Sequence, residues 1–240
     1  MAQKELIVTK HNNLIEASYK LTLNEQRLVL FCIAQLDPRK PLPKDNLFTV
    51  MAREFAEMFG VEEKHVYESL ETSSNDLYER DIKTYDKKYD RRFRWVHEVR
   101  YHKKEGKVTL GFSPSVAPYL TMLHEQFTSC RLNDIASLKS VYSIRLLEFL
   151  TQFKASGKFV ISLDKFKERL ELNEGYKRFH DLKKRVIEPA VKELQDKSNF
   201  SIQWEPIKGA RGKGIKQLEF IFEYNENKTS KKNKKTRTAR

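Results

Sequence analysis

Between Lys177 and Glu188 the chain carries Lys177, Arg178, Asp181, Lys184, Arg185 and Glu188. Arginine and lysine donate hydrogen bonds to the O6 and N7 acceptors of guanine, and both hold phosphate. Asp181 can accept from a cytosine amino group or orient a neighbouring arginine. Further on, Lys208, Arg211, Lys213 and Lys216 fall in a stretch without an acid, interrupted by Gly209, Gly212 and Gly214. Either feature alone is matched by an ordinary solvated charged face. A cationic helix next to a cationic, glycine-rich loop points more narrowly to a polyanion, and duplex DNA fits both parts.

Other chemistries find less support. A nucleotide-binding phosphate loop needs four residues between its glycines, then Lys and Ser or Thr, between a strand and a helix. The run Gly209-Ala210-Arg211-Gly212-Lys213-Gly214 has the wrong spacing and no hydroxyl. Tyrosine-dependent, metal-assisted nicking of DNA uses two histidines separated by one apolar residue. His11, His65, His97, His102, His124 and His180 include no such pair. His97 and His102 lie five apart on an expected strand, which sends them to opposite faces. Cys32 and Cys130 match no zinc spacing and form no disulfide framework. The reading is therefore of a non-enzymatic protein with no cofactor, no metal site and no membrane partner. No apolar run reaches a membrane span and no export signal is visible at the start, so a cytoplasmic location is expected.

The net charge is +13 over 240 residues, and 39% of residues are apolar, with 15 Phe and 10 Tyr available for cores. From Glu226 to Arg240 there are seven Lys or Arg against one Glu, so this end holds six of the thirteen net charges. It has no aromatic or branched apolar residue and is expected to be a disordered basic tail, either adding salt-sensitive affinity for DNA or only solubilising.

The elements that must present these side chains occur twice. Phe48 to Val61 aligns without gaps on Phe159 to Leu172: Phe48 with Phe159, Phe55 with Phe166, Glu57 with Glu168, Phe59 with Leu170. Each segment reads as a short strand, a helix of two turns and an apolar stop. A helix precedes each one. The first opens at Thr22 with Glu25 three residues on, a capping-box pattern. The second contains Arg145-Leu146 and Phe149, which align with Arg27-Leu28 and Phe31. A third helix follows each segment, from Glu62 to about Arg80 and from Tyr176 to Lys197. In the latter, Phe179, Leu182, Val186, Ala190 and Leu194 form a buried stripe, and Pro189 predicts a kink. A hairpin follows each: Phe93–Val99 with Val108–Phe112, and Phe200–Trp204 with Gln217–Phe222. The fold class is thus α+β, two tandem winged helix-turn-helix domains related by internal duplication. The expected division is 1–125, 126–225 and a tail at 226–240.

The two units differ in charge. The third helix of the first shows Glu62, Glu63, Lys64, His65, Glu68 and Glu71, a mixed and rather acidic face. Its hairpin region is basic, with Arg91, Arg92 and Arg94 among nine cations between Lys83 and Lys104. This domain is expected to hold phosphate more than it reads bases, or to contact protein.

Three segments resemble a known family. Asn13 to Leu28 (NLIEASYKLTLNEQRL), Ser140 to Leu150 (SVYSIRLLEFL) and Tyr176 to Leu194 are similar to the hallmarks of the iteron-binding, RepE-like initiators of plasmid replication. The similarity runs in order from about residue 6 to 224. The resemblance implies a monomer that binds direct repeats (iterons) of double-stranded DNA at a plasmid origin, the second domain giving most base readout. It further implies opening of an adjacent AT-rich region, recruitment of the host initiator and replicative helicase, and autorepression by a dimer formed mainly through the first domain. A winged-helix repressor without a replication role, and a protein-interaction scaffold, are the competing readings.

Overall fold

The computed structural model describes residues 5–62, 64, 66–85, 88–102, 104–172, 174–210 and 214–225. The expected basic tail, 226–240, lies outside them. The chain forms two compact units that part at Val141/Tyr142, with Arg169–Glu171 counted with the first. The first unit thus runs past the expected division at 125/126, because β7 (Phe127–Arg131) pairs antiparallel with β1 (Ile7–His11). Two short strands so far apart in sequence leave no local signal of their pairing.

In the first unit, α1 (Asn12–Glu16) leads to α2 (Leu23–Ile33). The capping box forms as expected: Thr22 Oγ1 accepts from the Glu25 N–H at 3.4 Å, and the Glu25 carboxylate accepts from the Thr22 N–H at 2.9 Å. The same carboxylate, wholly buried, takes a bidentate clamp from Arg80 at 2.9 and 3.0 Å. A buried charge is tolerated only with such full pairing. Next come β2 (Leu47–Met51), α3 (Ala52–Phe59) and α4 (Val66–Tyr78). β3 (Asp81–Tyr85) pairs with β4 (Asp90–Arg94), and β5 (Val96–His102) pairs with β6 (Lys107–Phe112). The expected single strand Phe93–Val99 is therefore split. Trp95 is wholly buried, edge-on to Tyr19 at 5.0 Å, and separates the two hairpins. A bulge between Val96 and Glu98 then lets the His97 ring lie over Gly111, where a Cβ would meet it at 2.6 Å. A short α5 (Leu132–Ala136) follows β7.

The second unit repeats the plan with α6 (Val141–Gln152), β8 (Lys158–Ser162) and α7 (Leu163–Arg169). A third helical stretch covers α8 (Phe179–Leu182), a π-turn at Lys183–Ile187 and α9 (Glu188–Lys197). The hairpin of β9 (Phe200–Lys208) and β10 (Ile215–Tyr224) closes the unit. Sheet order is β2-β6-β5 in the first unit and β8-β10-β9 in the second, so the last strand is central both times. Pro206 sits on the edge strand β9, where its missing N–H costs no ladder bond.

The duplication extends to single backbone dihedrals. Asn46 (φ 52°) and Gly157 (φ 64°) hold the left-handed position before β2 and β8; Gly60 (φ 60°) and Glu171 (φ 51°) hold it after α3 and α7. Val61 N–H donates to the Ala56 carbonyl and Leu172 N–H to the Lys167 carbonyl, the same helix-terminating bond in each half. The aligned arginines are both buried. Arg27 donates to the Leu138 carbonyl at 3.0 Å and lies over the Phe59 ring, while Arg145 pairs with Glu148 at 3.1 Å and lies over Phe149. Aromatic clusters fill the cores: Phe31, Phe55 and Phe59 in the first, and Phe149, Phe153, Phe159 and Phe220 in the second. Cys32 is fully buried, which pushes its thiol well above the usual range.

Candidate nucleic-acid interface

In the second unit the interface is built at the junction of a turn and a helix. After the left-handed Glu171, the Leu172 carbonyl accepts from the N–H groups of Gly175 and Tyr176, and Lys167 Nζ donates to the Tyr176 carbonyl at 2.8 Å. This fixes the entry to the helix, which starts three residues later than the sequence suggests. Lys177 and Arg178 therefore lie ahead of the helix rather than on its face. Arg178 is the N-cap, extended at φ −94°, its carbonyl accepting from Asp181 and Leu182. Both cationic side chains remain exposed.

Leu182, Val186, Ala190 and Leu194 face the core, as the stripe requires, whereas Phe179, at the first turn, is only part-buried. Lys184 and Arg185 are exposed on the other side. Lys183 is turned aside, 3.5 Å from Glu188 and with its ammonium 5.8 Å from the Trp204 ring centroid. Asp181 is half-buried and sits 3.7 Å from the neighbouring His180 ring rather than orienting an arginine. At Pro189, where the sequence suggests a kink, the structure shows a π-turn immediately before the proline.

The β9–β10 hairpin presents Lys208 and Lys216, both exposed. Ile215 pairs with Lys208 and Gln217 with Ile207, so Lys216 is the extra residue of a β-bulge. A bulge re-aims a side chain that would otherwise alternate with its neighbours. Arg211 and Lys213, at the tip, lie outside the described residues. Lys177, Arg178, Lys184, Arg185, Lys208 and Lys216 have no ion pair among the described residues. Uncompensated cations on a helix, its N-terminal turn and the adjoining hairpin can hold phosphates and donate to base edges.

The first unit is arranged differently. α4 contains Glu68, Glu71 and Asp76 and no cation. Lys64 is exposed just ahead of it. Of the arginines on β4, Arg92 pairs with Asp81, and Arg94 binds Glu79 at 2.9 Å and Asp81 at 3.2 Å. Arg91 lies over the Phe93 ring at 5.3 Å. Two of the three arginines are thus already neutralised, which the sequence did not reveal because the acids sit on the strand and turn opposite. Charge alone does not single out Thr72 and Asn75, exposed hydrogen-bonding side chains on α4. Their spacing from the buried Leu70 and Leu77 was the available signal. Among the described residues no cluster of His, Cys, Asp and Glu can hold a metal ion, and no helix is long and apolar enough to cross a membrane.

Duplicated winged helices with this surface define a tandem winged-helix protein. Family models described as Initiator Replication protein, WH1, and Initiator Rep protein, WH2, match residues 7–151 and 162–232. The chain belongs to this family of initiator replication proteins. It is 30% identical over 228 residues to a replication initiation protein of Escherichia coli, covering 91% of this chain and 70% of that one. It is 23% identical over 261 residues to the PI protein of Escherichia coli, covering 95% and 86%. The crystal structure of Pi initiator protein in complex with iteron DNA superposes with a TM-score of 0.78 at 21% identity, covering 94% of this chain and all of that one. At that identity the likeness speaks to the fold.

Proposed function

We propose that this initiator binds direct repeats of double-stranded DNA at a plasmid origin in the cytoplasm, with the second unit, which begins at Tyr142, as the main reader and the first unit holding backbone. The observation that carries the reading is the set of six exposed, unneutralised cations Lys177, Arg178, Lys184, Arg185, Lys208 and Lys216 on one winged helix. Arg185 and Lys184 read base edges in a major groove, with Asp181 accepting from a cytosine amino group, while Lys208 and Lys216, joined by Arg211 and Lys213, hold the flanking phosphates. Lys64, Arg91, Arg92 and Arg94 hold phosphate from the first domain, weakened at Arg92 and Arg94 by their acidic partners. The related Pi protein was solved bound to iteron DNA, which supports the same target here. The finer scheme follows the family resemblance. A monomer occupies the repeats, aids opening of the origin and recruits the host initiator and helicase, and a dimer represses the initiator's own gene.

Gel shifts on tiled fragments of the parent replicon, with competitor DNA at near-physiological salt, test this. The origin fragment should bind about a thousandfold or more tighter than the others. Equal affinity for all fragments would remove the sequence-specific reading.

A further inference from the structure

The helix carrying Lys184 and Arg185 is not uniformly α-helical. The Glu188 N–H donates to the Lys183 carbonyl five residues back, a π-turn. The cause lies in the sequence. Leu182, Val186, Ala190 and Leu194 are all buried and follow one another at steps of four. At about 100° per residue, a regular α-helix from Leu182 to Leu194 would end roughly 120° round from its start. Ile187 and Val191 are buried as well, and on a regular α-helix they widen the apolar arc to about 180°, more than one core contact covers. One extra residue taken up in a wide turn absorbs about 100° of that drift, and both leucines are fully buried as a result. Pro189 follows the turn; in a regular helix its ring would strike the Arg185 carbonyl four residues back.

The extra residue emerges opposite the core. Between buried Leu182 and buried Val186, Lys184 and Arg185 are both exposed without ion pairs among the described residues, while Lys183 folds toward Glu188 and Trp204. π-turns behave as one-residue insertions and recur at functional sites. We infer that this π-turn is a positioning element for base reading. It sets two adjacent cations side by side on the outward face, where a continuous α-helix presents one, and so favours adjacent guanine acceptors in the bound repeat. The inference rests on the reading of the second domain as the DNA reader.

Three variants of the full chain test it. Deleting Lys184 closes the turn into a continuous helix with the apolar stripe in register. Lys184→Ala removes the same charge but keeps the turn. Deleting Lys183 closes the turn and keeps both outward cations. Competition binding on the fragment bound by the parent chain gives the specific-over-non-specific ratio, and thermal unfolding reports the fold. All three variants carry Pro189→Ala, which clears the Arg185 carbonyl in the closed helix, so both deletions should unfold within about 4 °C of the Pro189→Ala chain and lose at least about tenfold more of that ratio than Lys184→Ala. Ratios equal to that of Lys184→Ala, or unfolding of both deletion variants, overturn the inference alone. A parent chain that binds every fragment equally overturns the reading on which it rests.

Discussion

Three kinds of residue carry stability tests. Gly60 and Gly157 both hold positive φ, but a Cβ at Gly60 meets open space whereas one at Gly157 lies 2.9 Å from the Phe222 carbonyl oxygen. Gly60→Ala should therefore cost about 1 kcal/mol, the left-handed penalty alone. Gly157→Ala should cost visibly more, about 2–3 kcal/mol, because backbone must also move; urea unfolding of the two variants side by side gives the comparison. Arg145 and Glu148 are each 2% exposed and pair at 3.1 Å. Glu148→Ala leaves a buried guanidinium short of its counter-charge and should cost about 3 kcal/mol or more in the same measurement. Cys32 is buried with its thiol pushed up, so alkylation of the native chain should spare it and modify it only on unfolding.

At the scale of elements, the proposed reading gives the helix and the wing of the second domain separable contributions. Loss of a phosphate-holding lysine weakens all sequences alike, so Lys208→Ala and Lys216→Ala should each lower the slope of log affinity against log salt by about 1. Arg185→Ala should instead cost about 1–3 kcal/mol on the preferred repeat and relax preference at one position. A salt titration on matched and altered repeats separates the two. Much of this organisation was legible in the sequence. The gapless frame from Phe48 to Val61 onto Phe159 to Leu172 holds in the structure down to the left-handed residues that bracket each strand and helix. The capping box at Thr22 was legible because its two partners are three residues apart. The split between β4 and β5 was not: buried Trp95 reads as one more apolar position of a strand, and only packing shows that the chain changes sheets there. The π-turn was missed because steps of four look α-helical until the drift is summed from Leu182 to Leu194. The late helix start, which moves Lys177 and Arg178 into the preceding turn, depends on the bonds made by the Leu172 carbonyl rather than on local propensity.

For the whole molecule, two winged helices in one chain allow two grooves to be engaged at once, and linked binding multiplies affinity through effective concentration. Cations are unevenly distributed: the second domain exposes six without an ion pair among the described residues, whereas the first has an acidic α4 and two arginines paired with acids, and the proposed division of labour rests on that contrast. Footprinting of the parent replicon, at near-physiological salt with competitor DNA, tests this account most directly. Regular protection of direct repeats about two helical turns apart is the predicted result. Protection of a single inverted repeat at the promoter, with none at direct repeats, would contradict the account and leave a plain repressor.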